Sequence, residues 1–193
     1  VHYGLTTQQI AALTTDQIPK LTTVQVAALT TAQASALTTD QAKTLTTSQL
    51  VSLGTSDLAA LTTGSISVLS TIQVSSLTVT QVHYGLTTQQ ISALTTDQVP
   101  KLTAAQVATL NTDQVAVLSA DGVSLLTTTQ LGQFSTINIA ALTTTQVAAL
   151  KSAQVHSFVT RQVAAIGADI AALATDGIAA LDSFQVSALI TDE

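Results

Sequence analysis

Three histidines, two tyrosines and eleven acidic residues carry most of the chemistry available to this chain of 193 residues. His2-Tyr3-Gly4 recurs 81 residues later as His83-Tyr84-Gly85, and His156 stands in the run Gln154-Val155-His156-Ser157. An imidazole can ligate a metal or carry a proton, but a metal site needs several converging ligands. The chain has no Cys and no second His near any of the three. Partly exposed corner residues are the simpler expectation. As the only tyrosines, Tyr3 and Tyr84 together with His2 and His83 are candidates for a periodic lateral contact between neighbouring arrays. The Asp residues, such as Asp16, Asp40, Asp97 and Asp113, are scattered singly. A calcium loop would cluster several oxygens around a Gly turn. Asp121-Gly122 and Asp176-Gly177 read as local turns. The many serines and threonines form no nucleophile elbow or Ser-His-Asp pattern, and the single Glu, Glu193, excludes a Glu pair. We therefore expect neither catalysis nor a metal or cofactor.

The elements that position these residues are written in an octapeptide, Leu-Thr-Thr-x-Gln-Val-x-Ala. Its leading apolar residue falls at Leu5, Leu13 and Leu21 and so on to Leu77, resumes after one extra residue at Leu86, and runs on through Phe134 and Phe158 to Ile166. One residue is then lost, and Leu173, Leu181 and Leu189 follow. A fixed short period is the mark of an array whose units bury their apolar faces only against one another.

Within an octad, Thr14 can cap a helix, Gln17 three residues later can close a capping box, and Leu13 can staple onto Ile18. An Asp before the Gln, as at Asp16 or Asp40, lies in the first turn, where the helix dipole favours negative charge. A continuous helix is excluded, because eight residues advance the leucine by roughly 80° per repeat around the axis. Pro19 and Pro100 also interrupt any longer helix. The expected fold is therefore an all-α solenoid of short capped helices, one per octad, with two or three octads to a coil. The alternative is a β-solenoid, suggested by abundant Thr and Val. There the Leu and the Val five residues later would face opposite sides unless a corner fell between them, and the Gly and Asn that usually make such corners are rare.

Above the octad, Val1 to Ile10 recurs almost unchanged at Val82 to Ile91, and Pro19-Lys20 matches Pro100-Lys101. We read one continuous array over 1–193, with long units 1–81 and 82–162 and a remainder 163–193, belonging to a longer array. Charged residues make up 8% of the chain and aromatic residues 3%, so the core is narrow and hydroxyls replace charges outside it. With five basic residues against eleven acidic ones, no basic stripe invites nucleic acid or an anionic membrane. No apolar run is long enough to span a bilayer. Stacked Thr rows could order water or ice or carry O-linked sugar, but capping accounts for one Thr of each pair.

The pattern Leu142-Thr143-Thr144-Thr145-Gln146-Val147-Ala148-Ala149-Leu150 resembles octapeptide arrays of large bacterial surface proteins, often labelled adhesin-like or haem-utilisation-like. The resemblance implies an exported, array-forming protein, extracellular or at the cell surface, and places no haem ligand here. The same opening is similar to the first helix of transcription-activator-like effector repeats, which begin Leu-Thr-Pro-x-Gln-Val. Their base-reading loops and basic residues are absent here, so the likeness favours a helix and carries no DNA binding. The expected role is a non-enzymatic rod or filament (stalk, adhesin shaft or fibre subunit) that self-associates end to end or laterally. The alternative is a solenoid scaffold for a protein or glycan ligand.

Overall fold

A computed structural model describes residues 4–190. Nineteen α-helices of four to eight residues, three 3₁₀ segments and one π turn follow one another, with no strand among the described residues. The capping box drives this choice over the β-solenoid. In the helix Thr23–Ala27, the Thr22 hydroxyl accepts from the Gln25 N–H at 3.2 Å, and Gln25 Oε1 accepts from the Thr22 N–H at 2.8 Å. Two orphan donors of the first turn are thus satisfied locally, in a helix too short to be stable from propensity alone.

Each helix ends after one or two turns. Leu45, at the end of Thr39–Thr44, has φ −56° and ψ 132°, and the next cap, Thr46, has φ −70° and ψ 159°. Two extended residues thus swing the chain into the next side of the coil. Among the described residues only Gly167 has a positive φ, at 58°. This explains how the array turns so often with so few glycines. Where Pro19 and Pro100 stand, the helix is reduced to a 3₁₀ segment, Ile18–Lys20 and Val99–Lys101, while the Thr14–Gln17 and Thr95–Gln98 boxes persist. The expected turns at Asp121-Gly122 and Asp176-Gly177 are not turns. Both pairs lie inside helices, Ala120–Leu125 and Thr175–Ala179, because the octad frame places them in the first turn after the cap.

The chain forms two compact units, Val1–Leu94 and Thr95–Glu193. Each is an α-solenoid in which a helix rests on the helix three octads before it. In the first unit Thr47–Ser52 packs on Thr23–Ala27, Thr55–Ala60 on Thr31–Ser35, and Thr63–Ser67 on Thr39–Thr44. In the second, Thr144–Ala148 packs on Ala120–Leu125, Thr160–Ala165 on Thr136–Ala140, and Thr175–Ala179 on Ser152–His156. Three octads therefore complete a coil, and each unit has three columns of stacked helices.

The sixth octad residue points straight into the coil: Val26, Leu50, Val74, Val115 and Val155 are fully buried. The leading residues from Leu37 to Ile166 line the corners and are at most 5% exposed. Burying each such side chain is worth about 1.5–3 kcal/mol. In the first coil Leu5 is 44% exposed and Leu13 and Leu21 are half-buried.

The two breaks in period are absorbed by changing helix type. The extra residue before Leu86 sits in the π turn Gln81–Gly85, where the Leu86 N–H reaches back five residues to the Gln81 carbonyl at 2.9 Å. The missing residue before Leu173 tightens its octad into the 3₁₀ segment Gly167–Ala172.

Candidate functional site

The octad glutamine does more than close its capping box. Gln146 is 2% exposed; its Oε1 accepts from the Thr143 N–H, and its Nε2 donates to the carbonyls of Val115 at 2.9 Å and Leu118 at 2.7 Å. Those carbonyls belong to the coil below, at a corner where the helix has ended and left acceptors unpaired. Gln154 repeats the arrangement on Val123 and Leu126, as do Gln49 on Ile18 and Leu21 and Gln81 on Leu50 and Leu53. One amide thus caps its own helix and stitches it to its neighbour. The reach follows the period: 28 residues for Gln81 to Leu53, 29 for Gln90 to Leu61 across the insertion, and 27 for Gln185 to Phe158 across the deletion. The coil survives both changes with the same bonds. No buried side-chain polar atom among the described residues lacks a partner.

Outside the core, hydroxyls and carboxylates make a second, exposed tie between coils. Thr31 donates to Asp57 at 2.9 Å, Thr144 to Asp169 at 2.6 Å, and Ser152 to Asp176 at 2.7 Å. The Ser152 hydroxyl, helped by the Gly177 N–H, holds the Asp176 carboxyl below its ordinary value of 3.8. Asp40 and Asp113 lie in first turns of helices as the sequence suggests, and so does Asp121, whereas Asp16 and Asp97 lie in turns ahead of the 3₁₀ segments Ile18–Lys20 and Val99–Lys101. Among the described residues no three His, Asp or Glu side chains gather as a metal site would require.

Of the four candidate contact residues, His2 and Tyr3 lie outside the described residues. His83 and Tyr84 occupy the π turn; their rings meet edge to face with centroids 4.2 Å apart, His83 half-buried and Tyr84 73% exposed. The wider turn carries the tyrosine outward while Gly85 stays buried against Leu58 and Thr55. His156 is exposed, and its Nδ1 lies 2.8 Å from the Ala180 carbonyl one coil on.

Sequence reasoning missed a group around Arg161, the only arginine of the chain. Val159 replaces the usual Thr at the cap of Thr160–Ala165, so no side chain accepts there, although Gln162 Oε1 still takes the Val159 N–H at 2.9 Å. Beside it lies an open groove of about 330 Å³, lined by Phe134, Ser135, Thr136, Ser157, Val159 and Arg161 among others. The signal was available: the fourth octad position, usually Asp, Thr, Ser or Ala, is Ile137, Arg161 and Phe184 in three octads of one column.

Comparison with known proteins adds the family of the repeat. None of the curated proteins matches the chain. Residues 50–83 match the ALTTAQ repeat, and Leu-Thr-Thr-x-Gln octads of the same kind stand on both sides of that segment, making the chain an octapeptide repeat array.

Proposed function

We propose that this repeat protein is a non-catalytic structural element, a rod or filament subunit of bacterial cell-surface or extracellular material, that works by self-association. The observation that carries this reading is the glutamine stitch. Buried glutamine amides join one coil to the next, as in Gln146 on Val115 and Leu118, which leaves the outward positions free to vary. A fold so organised lengthens by adding coils without redesign. In this reading Tyr84 with His83 is a lateral contact point.

The alternative, a scaffold for a protein or glycan, is supported by the groove beside Arg161, whose hydroxyls and guanidinium are groups that sugars and acidic ligands use. Electron microscopy of the purified chain over a range of concentration and salt separates the two readings. Uniform fibres about one coil wide, or bundles of them, are expected. Discrete particles that remain monomeric throughout overturn the structural reading in favour of the scaffold.

A further inference from the structure

In the second unit the three columns of helices differ in what they show to solvent at the fourth octad position. One column runs through Val99–Lys101, Ala120–Leu125, Thr144–Ala148 and Gly167–Ala172, and carries Asp97, Asp121, Thr145 and Asp169 there. A second runs through Thr112–Ala116, Thr136–Ala140, Thr160–Ala165 and Ser183–Ile190, and carries Asp113, Ile137, Arg161 and Phe184. Ile137 is 68% and Phe184 75% exposed, one coil to either side of the exposed Arg161. Among the described residues the guanidinium has no ion-pair or hydrogen-bond partner in its own chain.

An arginine between two large exposed apolar side chains, with the uncapped Val159 beside it, has the composition of a binding hot spot. Nothing in the octad frame calls for it: elsewhere in the second unit the same slot is filled by Asp, Thr or Ala at no cost to the core, and where the first unit places Val24 and Ile72 there, no arginine stands between them. Building on the self-association reading, we propose that this stripe is a lateral docking surface for a second copy of the chain, and that it seats the acidic column of that copy's second unit. The centre of the complementary surface is Asp121, with the exposed Leu125 four residues on, on the same side of its helix. Asp121 offers a carboxylate to Arg161, and Leu125 offers apolar area to Ile137 or Phe184. Both columns repeat once per coil of the same fold, so their spacings match. The net charge of −6 and the single arginine favour this pairing over a meeting of two acidic columns, which places acid against acid. The contact is heterologous, so the bound pair still presents one unused stripe and one unused acidic column, and association continues beyond a dimer.

Sedimentation velocity of the full chain tests this. The wild type is expected to form species larger than a dimer as concentration rises, with association weakened by salt. Arg161→Glu, Phe184→Ser and Asp121→Arg are each expected to weaken association by at least about tenfold while leaving the far-ultraviolet circular dichroism unchanged. A mixture of Arg161→Glu and Asp121→Ala proteins is expected to restore pairing and to stop at a one-to-one dimer, since one intact stripe and one intact acidic column remain between them and the two altered faces, Glu against Ala, form no ion pair. Wild-type association that survives all three substitutions overturns this surface and leaves the self-association reading standing. A wild type that stays monomeric at every concentration and salt overturns both.

Discussion

The glutamine side chain is the smallest unit that carries the architecture. Gln146 accepts one bond from its own cap and donates two to the coil below, all inside a buried corner. Gln146→Ala leaves the Thr143 N–H and two carbonyls without partners where water is excluded, and is expected to cost about 3 kcal/mol in denaturant unfolding. Gln146→Glu separates its two roles: the carboxylate can still accept at the cap but cannot donate to the carbonyls. At neutral pH it should therefore destabilise at least as much as Ala; near-wild-type stability would refute the stitch. On the surface, Asp176 has its carboxyl held below 3.8 by Ser152. Its folded value is depressed, so the tie is fully made above the ordinary value and is lost as pH falls through the lowered one. Ser152→Ala should raise the Asp176 midpoint toward 3.8, read by carboxyl NMR titration.

At the scale of the element, helices of one or two turns stand only because box, core residue and stitch act together. The π turn at Gln81–Gly85 shows how much error that combination tolerates. Its extra residue changes the reach of the next glutamine by one and breaks no stitch: Gln90 still donates to Leu58 at 2.9 Å and Leu61 at 2.7 Å. Deleting Tyr84 restores an eight-residue spacing from Leu77 to the next Leu and should convert the π turn to an ordinary helical end. The expected result is a folded protein with a melting temperature equal to or above that of the wild type. Loss of cooperative melting would mean that the insertion is needed for the fold rather than carried by it. Gly85→Ala differs, because a Cβ there would lie 3.0 Å from Leu58 Cδ2 and 3.4 Å from the Thr55 backbone. That crowding is expected to cost about 1–3 kcal/mol in the same melt.

For the whole molecule, stability is a chain of nearest-neighbour terms, because each coil touches only the coils beside it within its unit. A defect at Gln146 should therefore be felt locally. Amide hydrogen exchange of Gln146→Ala is expected to accelerate around Val115–Leu118 and Thr143–Val147, with the first unit, Val1–Leu94, exchanging as in the wild type. Uniform acceleration across both units would show that the chain unfolds as one cooperative body.

Much of this protein was legible in its sequence because its determinants are local. The Thr-x-x-Gln box, the 80° mismatch of the octad with a straight helix, and the prolines at Pro19 and Pro100 each act within a few residues, and together they fix short helices, their starts and the inward Leu and Val rows. Tertiary structure alone decided that three octads close a coil, since that depends on how two extended residues such as Leu45 and Thr46 aim the next helix. It alone showed that the capping glutamine also reaches 28 residues back, a bond between coils that no single octad records. It also decided which fourth positions share a column, and so brought Ile137, Arg161 and Phe184 onto one face. Those residues lie 24 and 23 apart in the chain, and the sequence cannot pair them until the number of octads per coil is known.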